Sequence, residues 1–281
     1  MGWLDRGYGA LPSTVTDRQE IMARPTTLTR RALLAALGLG ASLPAWAGKG
    51  RWSRRSPFNR VEVVTHDDGR VELLLDGSRQ SSWYPEDPPT LVYGYIRGLV
   101  ACIERTPLAE TGRGRALLVG LGGGTLARVL RARWPEVEVH ALEIDPVVVK
   151  AARRFFDLDP DVRVHVGDGR AFLDGDPGPW DLVVLDASSE DYVPPTLQSV
   201  ACFRRVAQLL TPGGVVLGNA WRNAPNAASE AETWRFVFPG ATERAVDNGE
   251  ENRLFAAGPG WSPGPGDQRL EPTGAPLLQD P

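Results

Sequence analysis

The sequence predicts an α/β fold, a doubly wound and mostly parallel sheet preceded by a small antiparallel β domain. Three observations carry this. From Arg115 onward, short apolar runs alternate with helical patterns, the signature of strands joined by crossover helices. Those runs are continuously apolar, as befits strands covered on both faces. Ahead of them, two β-rich runs flank His66-Asp67-Asp68-Gly69, which is hairpin punctuation.

In chain order, residues 1–47 read as an export signal. Arg30-Arg31 precede a short apolar stretch ending near Leu43, and Ala45-Trp46-Ala47 offers a small-residue cleavage site. The paired arginines are those of a twin-arginine signal, and Met22 is its natural start. A periplasmic or exported location follows if the signal works, and a cytoplasmic one if it does not. No run reaches the roughly 18 apolar residues of a membrane span.

Residues 48–56 form a basic run with no acid, expected to be a solvated, flexible arm. Residues 57–112 are expected to hold the small sheet, from Val61–Val64, Val71–Leu75 and a third piece around Gln80, followed by a helix over about Thr90–Arg105. Residues 113–258 form the main domain. Its strand candidates are Ala116–Gly120, Val137–Leu142, Val162–Val166, Leu182–Leu185, Gly214–Leu217, Thr242–Val246 and Arg253–Ala257. Helical patterns fall at Thr125–Arg133, Pro146–Phe156, Arg170–Leu173, Thr196–Leu210 and Ala228–Val237. Residues 259–281, rich in Pro and Gly and without periodicity, read as a disordered tail.

Composition narrows the function. The 281 residues carry a net charge of −4, which argues against a nucleic-acid partner, since phosphate contacts need a basic surface. Two cysteines and three scattered histidines cannot build a disulfide framework or a zinc finger, and no metal site is expected. Cys102 and Cys202 sit in apolar helical patterns and read as buried thiols.

The informative polar residues stand at the strand ends, where open α/β sheets bind ligands. The first main-domain strand runs into Gly120-Leu121-Gly122-Gly123-Gly124-Thr125, a turn that lets backbone approach a ligand. The second ends in Glu143-Ile144-Asp145, an acid able to accept both hydroxyls of a ribose. The third ends in Gly167-Asp168-Gly169, with Asp168 suited to an adenine amino group, and the fourth in Asp186-Ala187-Ser188-Ser189. One acid after each successive strand points to a nucleoside, and Thr125 and Asp168 favour a sulfonium nucleoside over a dinucleotide. Helix capping is the competing role for Glu143, Asp168 and Asp186.

These motifs, with Asp76-Gly77 and Gln80 in the front sheet, resemble the polyamine aminopropyltransferase (spermidine synthase) family, a branch of the methyltransferase-type, Rossmann-like fold. The likeness runs from about Pro57 to Gly258. It implies that Glu143 holds the ribose, Asp168 the adenine, and that Gln80, Tyr93, Gly120, Gly122 and Gly169 line the nucleoside pocket. Asp186 matches the family's catalytic aspartate. The implied co-substrate is decarboxylated S-adenosylmethionine, or S-adenosylmethionine itself, and the implied partners are small molecules, a nucleoside and an amine. A homodimer is compatible with this. The chain departs from the family at Gly122 and Ser189, where acids are usual, and at Gly94-Tyr95, where His-Glu is usual. A methyltransferase and a non-catalytic exported binder of nucleosides or polyamines are the alternative functions.

Overall fold

The computed structural model describes residues 50–175, 178–187, 193–246 and 251–281. The expected export signal lies outside them. Two sheets are present. The first is an antiparallel meander of β1 (Arg51–Arg55), β2 (Arg60–Thr65), β3 (Val71–Leu75) and β4 (Ser78–Trp83), hydrogen-bonded in that order. Its inner face, with Val61, Val63, Val71, Leu73 and Trp83, packs on α4 (Pro146–Phe155) of the main domain. The Trp83 indole N–H donates to the Phe155 carbonyl at 3.0 Å, so this contact is pinned as well as apolar.

The main domain opens with α1 (Gly94–Ile103) and α2 (Pro107–Thr111). Then β5 (Arg113–Val119), α3 (Thr125–Arg133), β6 (Glu136–Glu143), α4 and β7 (Arg163–Val166) build one half of the sheet. The chain returns through α5 (Gly169–Gly175) to β8 (Trp180–Leu185) on the other side of β5. It continues through α6 (Pro195–Gln198) and α7 (Val200–Leu209) to β9 (Leu210–Trp221). After α8 (Ala227–Val237), the antiparallel strands β10 (Thr242–Ala245), β11 (Asn252–Ala257) and β12 (Gln268–Arg269) complete the order β12-β10-β11-β9-β8-β5-β6-β7. Strands β5 to β9 pair in parallel, and the strand order reverses between β5 and β8. Such a reversal opens a crevice at the carboxyl ends of the strands.

One core cluster joins a sheet face to α1 and α3 through Leu99, Ile103, Leu118, Leu130 and Val184. The other joins the opposite face to α5, α7 and α8 through Leu173, Phe203, Phe255 and Trp234. No helix of the described residues is long and apolar enough to cross a membrane.

Three expectations are corrected. The basic arm is not free: its Arg51–Arg55 form β1, paired with β2. Buried Glu62 accepts from Arg51 at 2.8 Å, and Trp52 packs on Phe155 with ring centroids 5.4 Å apart. Pairing with the next strand thus orders a run that local composition leaves unpaired, and Glu62 neutralises its Arg51. The Pro/Gly tail is likewise ordered by tertiary anchors. Trp261 is buried and donates to Thr242 Oγ1, Asp267 accepts from Arg105 and Arg244, and Leu278 accepts from the Val200 N–H. Finally, the long helix at Thr196–Leu210 is broken at Ser199, which is extended (φ −74°, ψ 157°) and caps α7 through its hydroxyl.

Candidate functional site

Side chains alternate along a strand. Leu118, Ala141, Val184 and Leu217 all face the core beneath α1 and α3. Two residues on from each stand Gly120, Glu143, Asp186 and Asn219, and Asn252 precedes Leu254 by two on β11. Five adjacent strands thereby carry their terminal residues to one face at one edge. A cavity of about 470 Å³ opens there, of a size suited to a small ligand. Gln80, Ser81, Tyr95, Gly120, Gly122, Thr125, Glu143, Asp168, Gly169 and Asp186 all contribute to its wall.

The glycine loop explains its own composition. Gly120 has φ +105°, and a Cβ there would lie 2.3 Å from the Asp186 carbonyl oxygen, so only glycine lets β5 and β8 close on each other at the reversal point. Gly122 has φ +52° and faces the front sheet, where a Cβ would come within 2.8 Å of Ser81 Oγ. That hydroxyl accepts from the Gly123 N–H at 2.7 Å, tying β4 to the loop.

Glu143 accepts from the Leu121 N–H at 3.3 Å and the Asp145 N–H at 3.0 Å. The Gly122 N–H is a third backbone donor to it, so of about four acceptor positions one is left for a ligand hydroxyl. Burial pushes its pKa up, while these backbone donors pull it down. Its neighbour Asp145 is wholly buried and structural: it caps α4 at Val147 N and accepts from Ser56 Oγ at 2.5 Å. Asp168 is exposed. One oxygen caps the start of α5 through the Ala171 N–H at 2.7 Å, so the capping role and a place in the cavity wall coexist. Asp186 follows β8, and burial pushes its carboxyl up to about 7. Its opposing influence is the Asn219 amide, which donates to Oδ1 at 2.9 Å.

Gln80, Gly120, Gly122, Glu143, Asp168, Gly169 and Asp186 are therefore brought together. Tyr93 is not among them. It stands behind Tyr95, stacked at 6.1 Å, and Tyr95 lines the cavity in its stead. Burial pushes the Tyr93 hydroxyl up to about 12. Ser188, Ser189, Glu190 and Asp191 lie outside the described residues. Sequence reasoning missed Ser81, Asn219 and Asn252. The available signal was a polar residue interrupting an apolar strand register, Asn219 after Leu217 and Asn252 before Leu254.

No Lys, Arg or His is among the described residues lining the cavity. No group of three or more His, Cys, Asp or Glu placed to hold a metal occurs among the described residues.

A family model described as a methyltransferase domain matches residues 116–214. The chain is 31% identical over 194 residues to a polyamine aminopropyltransferase of Vibrio vulnificus, covering 66% of this chain and 64% of that protein. The chain thus spans just under two thirds of that relative. It is 31% identical over 220 residues to spermidine synthase 2 of Hyoscyamus niger, covering 72% and 68% of the two chains. Among solved structures, a probable spermidine synthase from Corynebacterium glutamicum superposes with a TM-score of 0.72 at 18% identity, covering 82% of this chain and 96% of that one. A spermidine synthase in complex with the transition-state analogue AdoDATO superposes with a TM-score of 0.61 at 18% identity, covering 79% and 75%.

Proposed function

The chain belongs to the polyamine aminopropyltransferase (spermidine synthase) family, and from that premise we propose that it moves an aminopropyl group from decarboxylated S-adenosylmethionine to a di- or polyamine. The observation that carries this reading is the charge of the cavity wall. Glu143, Asp168 and Asp186 line it, with no cationic side chain among the described lining residues. A sulfonium nucleoside without a carboxylate and a cationic amine suit such a wall, whereas a donor carboxylate would meet like charge.

Glu143 accepts a ribose hydroxyl with its remaining acceptor capacity, and Asp168 stands at the adenine side. The amine nitrogen attacks the methylene next to the sulfonium. A carbon–nitrogen bond forms, the carbon–sulfur bond breaks, and methylthioadenosine leaves with the electron pair. The attacking nitrogen sheds a proton, which Asp186 accepts. A carboxyl held near 7 is well matched to that task at neutral pH. Holding donor and amine in line supplies much of the remaining acceleration.

Calorimetry with decarboxylated S-adenosylmethionine, S-adenosylmethionine and methylthioadenosine tests the donor. The expected order has the decarboxylated donor binding more tightly than the carboxylated one, and no binding of any of the three would sink the reading. Asp186→Asn is expected to keep methylthioadenosine affinity within about threefold while slowing transfer at least about 100-fold. Equal loss of both would make Asp186 structural.

A second reading, an S-adenosylmethionine-dependent methyltransferase, is favoured by the matching methyltransferase-domain model and by Gly122, which presents no carboxylate to a donor propylammonium. A preference for the carboxylated donor in the same titration would select it.

A further inference from the structure

Behind Asp186 stands a chain of two amides. Asn219 Nδ2 donates to Asp186 Oδ1 at 2.9 Å, and Asn252 Nδ2 donates to Asn219 Oδ1 at 2.9 Å. Asn252 is 4% exposed, and neither asparagine is among the residues lining the cavity. Asp186 follows β8, and Asn219 and Asn252 sit on β9 and β11, all three at the same edge of the sheet.

The chain has a direction. An ionised carboxylate only accepts, so Asn219 must present its NH₂ to Asp186. Its own oxygen then needs a donor, which the Asn252 NH₂ supplies. Turning the Asn219 amide would set oxygen against carboxylate and NH₂ against NH₂. Only a protonated Asp186, with Asn252 turned as well, would tolerate that. We propose that Asn219 and Asn252 are positioning residues that hold Asp186 in its proton-accepting form, engaging Oδ1 and leaving Oδ2 to the incoming amine. This rests on the aminopropyl-transfer reading above. Glu143 and Asp168 share the cavity wall with Asp186, and Glu251 and Arg253 flank Asn252 in sequence.

The test uses Asn252→Leu, close in shape but without a donor, with Asn252→Ala as a smaller second variant and Asn252→Ser as the conservative rescue. Methylthioadenosine release from decarboxylated S-adenosylmethionine and a linear diamine is followed against pH. Both apolar variants are expected to move the acidic limb of kcat upward by about one pH unit. They should lower kcat about fivefold at pH 7 with donor KM unchanged, and Asn252→Ser should restore most of the loss. Titration of the Asp186 carboxyl by carbon NMR should show the same shift in the folded variants, whether or not they turn over. An unmoved carboxyl titration overturns the proposal. If the wild-type protein releases no methylthioadenosine from the decarboxylated donor and a diamine, the transfer reading fails, while the NMR titration still decides whether the amides set the protonation of Asp186.

Discussion

Asp186 shows how a residue can serve a reaction at the expense of the fold. Burial raises its carboxyl from 3.8 to about 7, so the folded state binds a proton that the unfolded state has released. Its contribution to stability is full below about pH 4 and is lost as pH rises through 7. Asp186→Asn keeps an acceptor for Asn219 and removes the buried charge. The variant should therefore melt higher than the wild type at pH 8 and level with it at pH 4, with a gain of up to about 4 kcal/mol from the full shift. Calorimetric scans at the two pH values would check this, and a gain independent of pH would refute it. At this scale the strand-end acids were legible, because an acid after an apolar run is a local pattern. Tyr95, Asn219 and Asn252 were not, because their places depend on how a helix docks and how strands register across the sheet. The family resemblance, rather than a local pattern, gave Tyr93 a place in the cavity wall where Tyr95 stands.

The elements beside the cavity are held by a segment that composition had marked as disordered. Arg170, at the start of α5, binds Asp280 through two nitrogens at 2.6 and 3.0 Å and the Thr196 carbonyl at 3.2 Å. Asp280 also accepts from Ser199, the cap of α7, at 2.5 Å. Leu278 N–H donates to Thr233 on α8, and Thr273 N–H donates to Glu232. One strap thus fastens α5, α7 and α8; α5 borders the cavity through Gly169, and Arg170 ties it to α6, which borders the cavity through Thr196 and Leu197. Ending the chain after Leu270 should leave the sheet intact but lower methylthioadenosine affinity about tenfold, corresponding to about 1.4 kcal/mol. Calorimetry alongside circular dichroism would separate the two effects. The alternation of strands and helices was readable because it is periodic. The strap was not, because its order comes from Trp261, Asp267 and Asp280 meeting distant partners.

In the whole molecule, the front sheet is a working part of the main domain. β4 touches the glycine loop through Ser81, and the sheet's core is completed by α4. A chain beginning at Pro57 would lose β1, the Arg51 partner of buried Glu62, and the Ser56 hydrogen bond to Asp145. It should melt on the order of 5 °C below a chain beginning at Gly48, since Glu62 keeps only Arg60, at 3.3 Å, and a hydrogen bond to a charged group is worth about 1.5–3 kcal/mol. Equal melting temperatures would mean that the arm is dispensable. The two-sheet plan was legible from hairpin punctuation and apolar runs, while the seam between the sheets, made of single hydroxyls and an indole, was not. The strap also has a consequence in time. Synthesis proceeds from the amino end, so every strand-end acid and the glycine loop emerge before Asp280. A nascent chain can fold its sheet and display its carboxylates while Arg170 and Ser199 still await their anchor. The finished grip on a ligand waits on a residue that translation delivers after all of them.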